Sequence, residues 1–82
     1  MSNDAASRKY KFYVDAEQFE TNETSLTGLQ IKEQAHVTPT YQLFLEEEGD
    51  IPDRAIADTE HVSMDGKEKH FFAVPPAVFG VA

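Results

Sequence analysis

Apolar and polar residues alternate with a period of two over residues 10–14, a pattern that predicts a strand with one buried face. Residues 41–46 and 69–74 are rich in aromatic and aliphatic residues and are predicted as further strands. A polar turn at 15–18 joins the first of these segments to a shorter one at 19–21, which predicts a β-hairpin. The turn contains neither Asn-Gly nor Asp-Gly, so the sequence does not fix its type.

A helix is predicted where the alternation stops. Thr27 is a good N-cap residue, and Gln30 three positions later completes a capping box. Leu26 before the cap and Ile31 in the first helical turns can pack together as a hydrophobic staple. Pro39 prevents a long extension, so we expect a short helix of about nine residues.

The predicted helix has a narrow apolar face. Ile31 and Ala35 lie four positions apart and therefore face the core together. Lys32, Glu33 and Gln34 lie between them in the sequence and are expected to face mostly outward. Lys32 would then be an ordinary solubilising cation on the surface, like the other lysines of the chain.

The second half of the chain adds shorter elements. A short edge strand is predicted at 54–56, a further apolar point at 62–64 and a tight turn at Asp65-Gly66. Pro75 ends the final strand because proline has no N–H to donate to a sheet. The order of elements predicts an α+β domain in which one helix covers one sheet.

The length of 82 residues is enough for one small domain. Residues 1–8 are small and polar, and we expect a flexible N-terminus there. The folded domain is predicted over 9–74, followed by an extended tail over 75–82. Because the chain has no cysteine, its core must rest on aliphatic packing and on its six Phe and three Tyr.

The charge of the chain narrows the choice of partner. A formal net charge of −8 repels polyanions, which argues against nucleic acid and against anionic lipid. A protein with a basic face is the natural complement. The chain also has no apolar run long enough to span a bilayer and no segment of signal-peptide type, so a cytoplasmic location is expected.

Nothing in the sequence predicts catalysis. His36, His61 and His70 have no metal-ligand spacing, and no nucleophile constellation accompanies them. The acidic run at 46–48 is interpreted as a solvated turn, or as a docking point for a basic partner. We therefore expect a protein that is not an enzyme and that needs no metal and no cofactor.

Four segments together resemble a known family. They are KYKFYVD at 9–15, LTGLQI at 26–31, YQLFLE at 41–46 and HFFAVPPAVFG at 70–80. In this order and spacing they are similar to the multiubiquitin family of bacterial ubiquitin-like proteins. The resemblance implies the β-grasp fold of ubiquitin, a mixed sheet of four to five strands with one covering helix.

The resemblance also implies a function. The genes of this family resemble parts of bacterial ubiquitination-like operons, which also encode E1-like and E2-like proteins and a deconjugating peptidase. The expected role of such operons is antiviral defence. The chain would be a ubiquitin-like protein modifier with these proteins and its targets as partners. Such family members often carry several domains in tandem, and the single domain here favours a dedicated modifier.

The tail is the expected site of conjugation. Gly80 is the expected mature terminus, because glycine has no Cβ and lets a nucleophile approach closely. Val81 and Ala82 mask its carboxylate, so we expect a peptidase to cut between Gly80 and Val81. The proline pair favours an extended arm that loses little entropy when a partner threads it. The residues expected to be recognised are Pro75, Pro76, Val78 and Phe79.

A second candidate site lies on the predicted sheet. Phe44 points away from the face of its strand that carries the two leucines, and Phe72 and Val74 share one face of the last strand. If they lie on the outer face, the three form an exposed apolar patch, and such patches mark interaction sites. Possible acceptors for chain formation are Lys9, Lys11, Lys32, Lys67 and Lys69.

Two other functions remain open from the sequence. A noncovalent β-grasp interaction module would use the same fold without ever being conjugated. A sulfur carrier would share the fold and a glycine end, but such carriers usually end in Gly-Gly, whereas Phe79 precedes Gly80 here.

Overall fold

The computed structural model describes residues 9–76. Within this range the chain forms seven strands and one helix. In chain order they are β1 (Tyr10–Val14), β2 (Glu17–Thr21), β3 (Ser25–Thr27), α1 (Gly28–Gln34), β4 (Gln42–Leu45), β5 (Arg54–Ile56), β6 (His61–Ser63) and β7 (Lys69–Val74). None of the helical structure in this range is long and apolar enough to cross a membrane.

Five of these strands form one mixed sheet in the order β2-β1-β7-β4-β5. The central pair, β1 and β7, is parallel, and the other three pairs are antiparallel. Together with helix α1 this is the α+β, ubiquitin-like β-grasp arrangement that the sequence predicted. The last strand therefore lies in the middle of the sheet, and the tail leaves the domain from there.

The core lies between the sheet and the helix and is built around two phenylalanines from the central strands. Phe12 of β1 and Phe71 of β7 are almost completely buried and meet edge to face, with ring centroids 6.3 Å apart. Phe19 of β2 stacks on Phe12 at 5.7 Å. The buried apolar residues are Phe12, Val14, Leu26, Ile31, Leu43, Leu45, Ile56, Val62, Met64 and Phe71.

The predicted N-terminus of the helix is confirmed. Thr27 is the N-cap, its hydroxyl accepts the N–H of Gln30, and the Gln30 side chain accepts the N–H of Thr27. Leu26 and Ile31, the two residues of the expected staple, are both buried in the core. The helix has seven residues, shorter than expected, because His36 just beyond its C-cap has a positive φ of 60°.

The prediction that Lys32 faces outward is wrong. Its side chain is only 4% exposed, and its ammonium donates to the carbonyls of Pro39 and Tyr41 at 2.7 and 2.9 Å. The third partner is the Asp58 carboxylate at 2.8 Å. Three acceptors match the three donors of the ammonium, which explains why a lysine can be buried here. Lys32 thus ties the loop after α1 to the loop after β5.

A second, smaller sheet was not predicted. β3 and β6 pair antiparallel, with Leu26 opposite Val62. Helix α1 starts directly at the end of β3, and its first N–H groups are satisfied by the β5–β6 loop. Gly28 donates to the carbonyl of Glu60 at 3.0 Å and Leu29 to that of Asp58 at 3.1 Å. The β5–β6 loop therefore caps the helix N-terminus, and the apolar segment at 62–64 that follows it holds β3 in place through the β3–β6 pairing.

The first hairpin is tighter than the sequence indicated. β2 begins at Glu17, which pairs with Val14, so the turn contains only Asp15 and Ala16. Both residues have positive φ, 53° and 71°, as a two-residue turn of type I′ requires. Asn-Gly is the usual signal for such a turn, so the pair Asp-Ala gave no indication of it.

Candidate functional site: the outer sheet face and the tail

The three residues of the predicted patch lie on one face of the sheet. Phe44 of β4 is paired with Phe72 of β7, and their rings stack at 5.2 Å with an angle of 10° between the planes. Val74 lies two residues further along β7 on the same face and is 40% exposed. The geometry therefore brings Phe44, Phe72 and Val74 together on the side of the sheet opposite the core, while their role in binding stays a prediction.

A second aromatic pair extends this surface. Tyr13 of β1 and His70 of β7 are register partners whose rings stack at 4.6 Å with an angle of 4°. The Tyr13 hydroxyl donates to the side-chain oxygen of Gln18 at 3.3 Å. We call the five residues Tyr13, Phe44, His70, Phe72 and Val74 the sheet-face patch. Tyr13 lies between the buried residues Phe12 and Val14 on β1 and therefore faces away from the core.

The sheet-face patch and the tail are continuous. Val74 is the last residue of β7, and Pro75 and Pro76 follow it as exposed residues outside any helix or strand. A partner seated on the patch would therefore lie beside the start of the tail. The other predicted tail residues, Val78, Phe79, Gly80 and Val81, lie outside the residues that the structure describes.

Two solvent-exposed ion pairs lower the pKa values of the carboxyl groups that take part in them. Lys67 hydrogen-bonds the Glu48 carboxylate at 2.8 Å and thereby lowers the pKa of Glu48. Arg54 likewise hydrogen-bonds Glu60 and lowers the pKa of that carboxyl group. Both carboxylates are solvent-accessible, so these pairs add little to stability.

An acidic groove runs beside the Glu48–Lys67 pair. It has a volume of about 320 Å³ and is open to solvent. Its lining residues are Leu45, Glu46, Glu47, Glu48, Ile51, Lys67, Glu68 and Lys69. Ile51 is 61% exposed, so the groove combines an apolar side chain with an acidic rim. Such a surface suits a basic protein segment better than an anionic one.

Comparison with protein-family models gives a match to multiubiquitin over residues 10–77. The chain belongs to the multiubiquitin family. The match covers β1 to β7 and reaches one residue past the proline pair. Comparisons with curated proteins and with solved structures give no significant match. The protein is thus ubiquitin-like, and such proteins are typically small, non-enzymatic and active through other proteins.

The lysines of this multiubiquitin-family chain differ in accessibility. Lys67 is 78% exposed in its side chain and Lys11 is exposed on β1, whereas Lys32 is enclosed by its three acceptors. A buried ammonium that donates three hydrogen bonds is not free to act as an acyl acceptor. Burial therefore removes Lys32 from the set of acceptors considered from the sequence.

The histidines are spread over different parts of the fold. His36 follows the helix, His61 is exposed on β6 and His70 stacks on Tyr13. Over residues 9–76 no group of three or more His, Cys, Asp or Glu side chains is placed to hold a metal ion. The structural features of this range that bear on the predictions are the sheet-face patch and the start of the tail, and their roles in binding stay predictions.

Proposed function

We propose that this chain is a ubiquitin-like protein modifier. It is cut after Gly80, activated at the new carboxylate by an E1-like enzyme, passed to an E2-like protein and joined to target proteins. The family match over residues 10–77 is the observation that carries the proposal. A cytoplasmic role in bacterial antiviral defence is part of it and rests on the sequence resemblance alone.

The geometry around β7 supports the proposal. An activating enzyme must draw the modifier's C-terminus into a catalytic channel while holding its folded part. The tail starts at Pro75, directly after a strand that is paired on both sides. The sheet-face patch next to it offers a surface that a partner can grip. Proline favours the extended polyproline conformation, so threading costs little further entropy.

The chemistry of conjugation belongs to the partners. In the activating enzyme the Gly80 carboxylate attacks the α-phosphate of ATP, which forms the acyl adenylate and releases pyrophosphate. The enzyme's cysteine thiolate then attacks the acyl carbon, which forms a thioester and releases AMP. Glycine at the acyl position leaves the carbonyl open to attack from the thiolate. This chain supplies only the acyl group and the surface that orients it.

The proposal can be tested by thioester formation with the E1-like enzyme, here called charging, for forms of the chain that end at different residues. A form ending at Gly80 should give a thioester with the E1-like enzyme of its own operon when ATP is supplied. The full chain should be charged only after the operon's peptidase has acted, and a form ending at Phe79 should not be charged. Gel shifts that are reversed by dithiothreitol report the thioester.

Intact-mass analysis completes that experiment. The peptidase should remove everything after Gly80 and leave the Gly80 carboxylate. Cleavage at another bond would show that the assigned terminus is wrong. If the form ending at Gly80 gives neither adenylate nor thioester, the modifier hypothesis fails, and a noncovalent module that acts through the sheet-face patch becomes the better explanation.

Replacing Phe44 by alanine tests the sheet-face patch. We expect Phe44→Ala to weaken binding to the E1-like enzyme by at least about tenfold, since partly exposed aromatic residues at interface centres are typical hot spots. Because Phe44 lies on the outer face, the fold should be retained. Isothermal titration calorimetry and circular dichroism measure the two effects.

A matched control for Phe44→Ala is Ile51→Ala. Ile51 is also a large exposed apolar residue, but it lies in the loop after β4 and not on the outer sheet face. This variant should bind the E1-like enzyme with unchanged affinity if the enzyme contacts the sheet-face patch, whereas a loss of affinity would place the acidic groove in the interface instead. Equal affinity of Phe44→Ala and the unaltered chain would remove the patch from the proposed binding surface.

A further inference from the structure

The first hairpin turn contacts the strand that leads into the tail. β1 ends at Val14, where it is paired with Phe71, but β7 continues to Val74. The N–H of Asp15 still donates to the Phe71 carbonyl at 3.0 Å, which adds one more parallel-sheet bond. In a regular parallel ladder the next bond would join the N–H of Ala73 to the backbone carbonyl of Asp15.

The side chain of Asp15 takes the place of that carbonyl. At a φ of 53° the backbone turns away from β7 at Asp15 and starts the hairpin. The Ala73 N–H donates instead to Oδ1 of Asp15 at 3.2 Å. The carboxylate thus extends the central ladder by one step beyond the end of β1, on the side of β7 that would otherwise lose its partner strand.

The other side of β7 is held to the same point. β4 pairs with β7 through Leu43–Ala73 and Gln42–Val74. Pro75 follows at once and has no N–H to continue either ladder. Ala73 is therefore held from both sides and Val74 from the β4 side, and the tail begins at Pro75.

We propose that Asp15 is a positioning residue for conjugation. It fixes where the folded domain ends and in which direction the tail leaves, so that an activating enzyme meets the tail already aligned. This role rests on the proposed function as a modifier. Without the carboxylate, Ala73 is free on its β1 side and the end of β7 frays, so more of the chain must be ordered when the tail is threaded.

The conformation of the turn limits which residues can stand at position 15. The type I′ turn requires a positive φ there, and aspartate adopts it more readily than most non-glycine residues while also offering an acceptor oxygen. Glycine at position 15 would keep the turn but would provide no oxygen for Ala73. Asparagine tolerates positive φ and keeps an acceptor oxygen. The two substitutions therefore separate the hydrogen bond from the turn conformation.

The test compares Asp15→Gly with Asp15→Asn in the form ending at Gly80. In Asp15→Gly the Ala73 amide should exchange with deuterium about three- to tenfold faster, the range expected for loss of one hydrogen bond. The KM for charging by the E1-like enzyme should rise by a similar factor with kcat unchanged. Asp15→Asn should match the parent form in both measurements.

Each outcome bears on a different claim. If Asp15→Gly exchanges faster at Ala73 but keeps the parent KM, the contact does not position the tail for activation, and the inference is overturned. An equal rise in the Ala73 exchange rate and in KM for Asp15→Gly and Asp15→Asn would also contradict the inference, because the oxygen that asparagine retains would then have no effect. If the parent form is itself not charged, the modifier proposal fails, and this role fails with it.

Discussion

Replacing Lys32 by methionine should lower the free energy of unfolding by about 2–3 kcal/mol, although methionine is apolar and fits a buried site in volume. The reason is the pair of backbone carbonyls, Pro39 and Tyr41, that lose their donor. Partly buried carbonyls without a partner cost more than the burial of methionine recovers. Urea unfolding followed by circular dichroism measures the change.

Asp58→Asn is the matched control for Lys32→Met. The Asp58 side chain is 52% exposed, but its partner Lys32 is only 4% exposed, so the pair is worth more than one between two surface charges. The asparagine oxygen can still accept from the Lys32 ammonium, so we expect the free energy of unfolding to fall by about 1 kcal/mol, less than in Lys32→Met. A larger loss in Asp58→Asn than in Lys32→Met would mean that the ion pair, and not the two carbonyls, stabilises the site.

Replacing Gly28 by alanine should destabilise the domain by about 2–3 kcal/mol, the cost of forcing an extra group into a packed site. Intrinsic helix propensity alone predicts the opposite sign, a gain of about 1 kcal/mol. A Cβ at this position would lie 2.3 Å from the Ala57 carbonyl oxygen and 3.1 Å from Cγ2 of Ile56. The β5–β6 loop would have to move away, together with the carbonyls that cap α1. Thermal and urea unfolding give the sign directly.

Gly49→Ala is the control for Gly28→Ala. A Cβ at Gly49 meets no atom within 4 Å, and only its positive φ of 69° opposes the substitution. We expect a smaller loss of about 1 kcal/mol there, the cost of a left-handed conformation for alanine. A gain in stability for Gly28→Ala would show that the close approach of the β5–β6 loop to α1 is not present in solution.

The regular elements were predictable where local chemistry decides them. The final strand was predicted over the residues that form β7, since they are rich in aromatic and aliphatic side chains and Pro75 ends the strand. The capping box of Thr27 and Gln30 lies within four residues and needs no tertiary contact. All residues of such a pattern lie close together in the sequence, so the pattern can be recognised without any knowledge of tertiary contacts.

Features that depend on distant partners could not be predicted. Lys32 looked like a surface residue, because its acceptors come from two loops that lie beyond the helix in the sequence. The pairing of β3 with β6 joins short segments about 35 residues apart, and neither alone has strand character. The Asp15–Ala73 bond spans still more of the chain, so sequence spacing gave no sign of it.

The candidate site was predictable in part for the same reason. Alternation placed Phe44, Phe72 and Val74 on equivalent faces of their strands, but only the register of β4 against β7 brings the two phenylalanines into a stack. The Tyr13–His70 stack depends on the parallel pairing of β1 with β7, which no local signal encodes. The proposed role of Gly80 was inferred from the open backbone of glycine together with the family resemblance, and Gly80 lies outside the residues that the structure describes.

The central position of β7 has a mechanical consequence for any protein attached through the tail. A force that pulls between the two ends of the folded domain loads β1 and β7 in opposite directions along their shared ladder. The hydrogen bonds between two such parallel strands are then strained together and cannot open one after another. An unfolding machine that pulls on the domain through the tail would therefore need its largest force at the first step, when β1 and β7 separate.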